Sequence, residues 1–277
     1  MTISIDKIKY LLKYVKKTNL FIVGAPRTGT TSIHNYLSYH KEIFVGEEKE
    51  PYYFCNDFHS EDKKMKFFKI RNLISYLMLY KGYKNEKYIV DGSTFYLYSK
   101  NAAENIFKFN EKAKIIIIVR EPVSQLSSYY SYLIKQKFEN IKDFDIALKS
   151  EKNRKIGLMN NEYKKYTSCL FYSDIPKYKE QITRYLKFFK KENIKILVYD
   201  DLEKDSITFS KEILDFLKLD DSLKDDKKIG KKNFMRKEYV INANTTLQLK
   251  KFFKRDVKYL SKLLSRDLLT EWGYNEV

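Results

Sequence analysis

Residues Leu20 to Leu37, LFIVGAPRTGTTSIHNYL, constrain the fold of this chain more than any other stretch. The apolar run from Leu20 to Val23 stops at Gly24. A loop with a second glycine at Gly29 follows, and then Thr30, Thr31 and apolar residues at Ile33, Tyr36 and Leu37 recur at helical spacing. A strand that turns through a glycine loop into a helix presents backbone N–H groups and a positive helix end to a phosphate-like anion. The two glycines have Walker A spacing, yet Thr30 stands where that motif carries its phosphate-binding lysine. The cation is Arg27, inside the loop. The loop is expected to hold an anion, but not ATP in the manner of ordinary NTPases.

Two further segments extend the pattern. Lys114 to Val119, KIIIIV, is an uninterrupted β-branched run, as in a strand buried on both faces of a parallel sheet, and Ile194 to Tyr199, IKILVY, repeats it. A short strand is expected at Tyr88 to Val90. Helices are expected at about Glu61–Tyr80, Asn101–Phe109, Pro122–Ile134, Ile175–Lys190, Ile207–Leu217 and Thr245–Leu264. Strands alternating with helices imply an α/β fold: a doubly wound, mainly parallel central sheet flanked by helices. Ligands in such sheets sit beyond the carboxyl ends of the strands, where Gly24, Asp91, Arg120 and Asp200 all fall.

The 277 residues fit a single domain, 1–277, with an amphipathic helical extension at about 1–18. No run approaches the roughly 18 apolar residues of a membrane span, and the N-terminal stretch has no apolar signal-peptide centre. A cytoplasmic protein without a transmembrane segment is the expectation. Two cysteines, Cys55 and Cys169, and three isolated histidines, His34, His40 and His59, have neither disulfide-framework nor ligand spacing, so no metal is expected. The net charge of +18 suits an anionic partner or a set of solvated lysine faces; the lysines are spread along the chain.

The loop Gly24-Ala25-Pro26-Arg27-Thr28-Gly29-Thr30-Thr31 can donate from its backbone and from two hydroxyls, with Arg27 adding charge-assisted contacts. A second group, Arg120-Glu121-Pro122-Val123-Ser124-Gln125-Leu126-Ser127-Ser128-Tyr129-Tyr130, sets an arginine at a strand end and a serine two turns into the next helix, in reach of one phosphate. Taken together, these segments resemble the sulfotransferases that use 3′-phosphoadenosine 5′-phosphosulfate (PAPS). GAPRTGTTSI is similar to that family's 5′-phosphosulfate loop, G-x-x-[KR]-x-G-T-T-x-L. VREPVSQLSSYY is similar to its 3′-phosphate motif, L-R-x-P-x-x-R-x-x-S-x-Y, with Gln125 in place of the second arginine. The resemblance implies that Arg27, Thr28, Gly29, Thr30, Thr31 and Ser32 hold the phosphosulfate, and that Arg120 and Ser128 hold the 3′-phosphate.

A third segment, Lys49-Glu50-Pro51-Tyr52-Tyr53-Phe54, resembles the K-E-x-H-F-F stretch of the heparan-sulfate-modifying type of carbohydrate sulfotransferase. Carried over, Glu50 is the general base and Lys49 stabilises charge on the transferring group. Tyr52 stands where the subgroup often has histidine. His59 is the rival base. Asp91-Gly92-Ser93-Thr94-Phe95-Tyr96 resembles the family's [ED]-K-S-P-x-Y, a strand-end turn lining the acceptor cleft, in Asp91, Ser93 and Tyr96; the resemblance implies that Asp91 and Ser93, together with Tyr52 of the preceding segment, bind the acceptor. The basic stretch Lys227 to Lys237 resembles a late glycine-containing loop that closes over the nucleotide, with Gly230, Lys231 and Lys232 as candidates and Arg236 behind them.

The resemblance implies an enzyme that moves a sulfuryl group from PAPS to a hydroxyl or amine of a saccharide or other glycoconjugate, with Arg27, Lys49 and Glu50 at the reacting atoms and no metal. Two rivals stay open. A P-loop nucleotide kinase or NTPase predicts a lysine after Gly29, which is absent. A nucleic-acid-binding protein is suggested by the charge and the 24 tyrosines, but the aromatic residues follow core spacing.

Overall fold

The computed structural model describes residues 16–46, 48–58, 70–158, 168–221 and 238–277. Five strands form one sheet: β1 (Leu20–Gly24), β2 (Ile43–Val45), β3 (Tyr88–Asp91), β4 (Lys114–Val119) and β5 (Ile194–Val198). Their order is β2-β3-β1-β4-β5 and every pairing is parallel. The chain leaves β1 toward one edge, returns through β3, and then crosses β1 to build β4 and β5. The crevice at the carboxyl ends of β1 and β4 is therefore the switch point of the sheet, the place where such folds bind ligands.

The β-branched runs are buried because both faces of the sheet are covered. Ile115, Ile117 and Val119 pack into one core cluster with Phe21, Val23 and Ile89; Ile116 and Ile118 pack into the other with Leu20, Ile22 and Val90. The second face is closed by α1 (Thr30–Leu37), through Ile33 and Leu37, and by the later helix at Ser206–Leu217. The first face carries α2 (Leu73–Met78), α3 (Ala102–Phe109), α4 (Pro122–Lys135), α5 (Phe144–Lys155) and α6 (Tyr178–Phe188). After β5 come α7 (Tyr199–Lys204), α8 (Ser206–Leu217), α9 (Ala243–Leu264) and α10 (Leu268–Glu271).

Local chemistry sets the helix starts. Pro122 opens α4, and Glu121 caps it by accepting from the backbone N–H groups of Val123 and Ser124. Asp143, Asp205 and Asn242 cap α5, α8 and α9 in the same manner. Four of these elements were not expected from sequence. The edge strand β2 is only three residues long, α5 has a weakly amphipathic sequence rich in lysine, α7 follows β5 without a glycine or proline signal, and α10 is a single turn of four residues. The helix expected at Glu61–Tyr80 is a helix only at Leu73–Met78, and 61–69 lie outside the described residues. Most of the extension at 1–18 also lies outside them, and residues 16–18 are not helical.

Candidate active site

The first loop is shaped by its two glycines. Gly24 has φ +150, and a Cβ there would come within 2.7 Å of the Thr94 carbonyl oxygen. Gly29, at φ +80, caps α1, and a Cβ would come within 2.5 Å of Leu202 Cδ2 on α7. Only glycine tolerates that conformation and that closeness together. A register shift between Ile22 and Gly24 lifts the chain out of the sheet, and Ala25 N–H then bonds the Ile118 carbonyl at 2.8 Å. Arg27 itself sits at φ 67, in the left-handed region.

The two sequence motifs meet in space. Arg27 Nε donates to Ser128 Oγ at 3.2 Å, and its guanidinium lies over the Tyr132 ring, 5.2 Å from the centroid. Arg120, at the end of β4, brings Nη1 to 3.5 Å from the Arg27 carbonyl oxygen and stacks its guanidinium on Tyr199, 4.7 Å from the ring centre. Gln125, fully buried, donates from Nε2 to the Pro26 carbonyl at 2.9 Å and accepts from the Tyr178 hydroxyl at 2.6 Å. Tyr178 in turn accepts from the Arg120 backbone N–H at 3.1 Å. Gln125 thus holds α4 against the loop rather than facing the crevice.

Arg120 has a partner that sequence reasoning did not anticipate. Its Nη1 and Nη2 each lie 3.3 Å from a carboxylate oxygen of Glu238, a forked pair of the geometry arginine offers to phosphate or carboxylate. The only signal for Glu238 was its position directly after the basic stretch. Gly230, Lys231, Lys232 and Arg236 lie outside the described residues, as does His59. Thr28 is fully buried with its hydroxyl bonded to the Ala25 carbonyl at 2.7 Å, so its side chain braces the loop. Thr30 and Thr31 line the cleft; Ser32, half-buried, follows them in the first turn of α1.

On the opposite wall, Lys49 Nζ donates to Thr31 Oγ1 at 2.8 Å and stands 3.4 Å from Glu50 Oε1. Glu50 Oε1 also accepts from the Thr94 hydroxyl at 2.9 Å, and the Tyr52 hydroxyl reaches the same carboxylate. Glu50 and Tyr52 both have positive φ, 62 and 54, so the chain is kinked on either side of Pro51 to aim these groups inward. Burial together with Glu50 lifts the Tyr52 hydroxyl far above its ordinary range, and it stays a neutral donor. His34, on α1, is pushed down to about 4 by burial and then by Lys49, and stays neutral at ordinary pH.

Asp91 and Ser93 do not reach the cleft wall among the described residues. Asp91 is 1% exposed; it accepts from Ser93 Oγ at 2.7 Å, from Tyr96 OH at 2.9 Å and from Tyr76 OH at 3.0 Å. Ser93 Oγ then accepts from Tyr52 N–H at 3.2 Å, and Tyr96 OH accepts from Phe54 N–H at 3.4 Å. Through these bonds Asp91 anchors the Glu50 segment from beneath. Burial lifts its carboxyl to about 6, against the three hydrogen bonds, which lower it. The cleft itself is bounded by Arg27, Thr30, Thr31, Lys49 and Glu50 and by the rings and apolar side chains of Phe95, Tyr129, Tyr132, Leu133 and Phe138.

These features agree with what the chain is similar to. A sulfotransferase domain model matches residues 17–272. A crystal structure of a sulfotransferase from Alicyclobacillus acidocaldarius superposes with a TM-score of 0.80 at 27% identity, covering 94% of this chain and 100% of that one. The membrane-associated sulfotransferase kil1 of Dictyostelium discoideum is 28% identical over 117 residues, which is 42% of this chain and 23% of that protein. Heparan sulfate glucosamine 3-O-sulfotransferase 5 of Mus musculus is 24% identical over 181 residues, 65% of this chain and 47% of that protein. The chain thus spans less than half the length of these two relatives. Among the described residues no helix is long and apolar enough to cross a membrane.

Proposed function

The chain belongs to the sulfotransferase domain family, and from that premise we propose that it transfers a sulfuryl group from PAPS to a hydroxyl of an acceptor, with a saccharide as the acceptor class. The observation that carries this reading is the bond from Arg27 to Ser128, which draws two nucleotide-binding motifs into one crevice at the switch point of the sheet. The donor set suits the ligand. Arg27, Lys49, Thr30 and Thr31 converge at the mouth of α1, and Arg120 already grips an anionic group, the Glu238 carboxylate. The likeness to a heparan sulfate sulfotransferase supports a saccharide acceptor.

PAPS supplies the sulfuryl group and a phosphate oxygen that leaves with the bridging electron pair. Arg120 and Ser128 hold the 3′-phosphate end. The loop amides from Thr28 to Thr31, with Arg27, hold the phosphosulfate and stabilise charge on the departing oxygen. Glu50 takes the acceptor proton while the acceptor oxygen bonds to sulfur, and Lys49 stands between the base and the transferring group. Thr94 and Tyr52 fix the Glu50 carboxylate in line. Positioning and electrostatics provide the rate enhancement. The kinase reading lacks its lysine. Calorimetric titration with 3′-phosphoadenosine 5′-phosphate (PAP) against ATP–Mg²⁺ tests the donor, and preferential binding of ATP would overturn the proposal.

A further inference from the structure

Three residues on one stripe of α4 grip the loop that follows β1. Gln125, Ser128 and Tyr132 stand at i, i+3 and i+7, the spacing that puts side chains on a single helix face. Gln125 donates to the Pro26 carbonyl, Ser128 accepts from Arg27 Nε, and the Arg27 guanidinium lies over the Tyr132 ring, 5.2 Å from its centroid. The stripe thus meets the loop three times in succession: at the Pro26 backbone, at the Nε edge of Arg27 and at its guanidinium. Gln125 and Ser128 fall inside the segment VREPVSQLSSYY, whereas Tyr132 lies two residues past its end.

We propose that Tyr132 is a positioning residue whose ring holds the Arg27 guanidinium in the orientation that receives the 5′ end of the donor. The inference rests on the sulfuryl-transfer reading of the same site and assigns one more residue to it. The bond from Nε to Ser128 defines one direction of the guanidinium, and the ring defines a second. A ring attracts a guanidinium through its quadrupole and leaves the positive charge intact. A carboxylate in the same place would hold Arg27 as well, but would cancel the charge that the departing oxygen needs. Burial, and then Glu50, lift the Tyr132 phenol above its ordinary range against the opposing effect of Arg27, so the ring stays neutral. During transfer the acceptor oxygen bonds to sulfur while the bridging sulfur–oxygen bond breaks. The electron pair leaves on the phosphate oxygen, and the acceptor proton passes to Glu50. Arg27 serves that phosphate oxygen, and Tyr132 acts only by keeping Arg27 there.

The test is a double-mutant cycle on the full chain, read by calorimetric titration with PAP and with adenosine 3′-phosphate, which lacks the 5′ anion that Arg27 meets. PAP that fails to bind the unaltered protein would sink the donor reading itself. With PAP bound, Tyr132→Leu should weaken PAP by about threefold to thirtyfold, the range of a cation–π contact, and leave adenosine 3′-phosphate within about twofold. Tyr132→Phe, which keeps the ring, should hold PAP to within about twofold of the unaltered protein. Arg27→Ala should also weaken PAP, and combining it with Tyr132→Leu should cost nothing further. Equal losses for the two nucleotides, or losses that add in the double variant, would make Tyr132 a packing residue. Either result overturns the inference and leaves the donor assignment standing.

Discussion

Arg27 Nε donates to Ser128 Oγ across 3.2 Å, which ties the loop after the first strand to the helix after the fourth. Had these residues faced separate surfaces, no single nucleotide could span both motifs. Their bond, with Arg120 Nη1 at 3.5 Å from the Arg27 carbonyl, makes one continuous cationic floor at the sheet's switch point.

Arg120→Ala removes the forked donor proposed for the 3′-phosphate. PAP affinity should fall by about thirtyfold or more, since a charge-assisted pair contributes about 2–3 kcal/mol. Calorimetric titration checks this, and unchanged affinity would move the 3′-phosphate elsewhere.

Glu238→Gln should act in the opposite direction. Glu238 competes for the Arg120 guanidinium at 3.3 Å on both nitrogens, and binding a phosphate there requires that pair to open. Removing the charge should tighten PAP binding by about threefold to tenfold, given a partly buried pair of modest strength. A weaker complex would mean that Glu238 helps the nucleotide rather than opposing it.

Glu50→Gln should bind PAP within about twofold of the unaltered protein and lose about a hundredfold to ten-thousandfold in kcat, the usual contribution of a general base. Full turnover in this variant would reassign the base.

Asp91→Asn should lower kcat with PAP affinity unchanged, because Asp91 positions the Glu50 segment through Ser93, Tyr96 and the backbone of Tyr52 and Phe54. It also has a pH signature. Burial lifts the Asp91 carboxyl to about 6, so the native protein keeps a proton that the unfolded chain releases near 4. That share of stability is complete below the ordinary carboxylate range and is lost as pH rises through about 6. Asparagine cannot ionise, so melting temperatures followed from pH 4 to 7 should fall less steeply in Asp91→Asn. An identical slope would place the shifted proton on another group.

Gly29→Ala should destabilise the protein by more than the roughly 1 kcal/mol that a left-handed conformation costs, since the added carbon also meets Leu202 at 2.5 Å. A melting temperature equal to that of the unaltered chain would show that the loop relaxes freely.

Local pattern carried much of this protein. Leu20–Gly24 and Lys114–Val119 read as buried parallel strands because every residue in them is apolar or β-branched, apart from the closing glycine and the first lysine, and the structure buries both faces. The glycine loop and the Arg120–Ser128 segment could be recognised because turn chemistry and anion contacts demand particular residue types at short spacing. Contacts between distant segments were not readable in that way. Glu238 on Arg120, Gln125 on Pro26, and the relay from Asp91 to the Glu50 segment each join residues between 41 and 118 positions apart. Nothing in a local window distinguishes a cleft-lining Asp91 from a buried one, or a ligand-facing Gln125 from a brace. Those roles follow from which helix covers which strand, and burial then decides whether a polar group meets a ligand or its own protein.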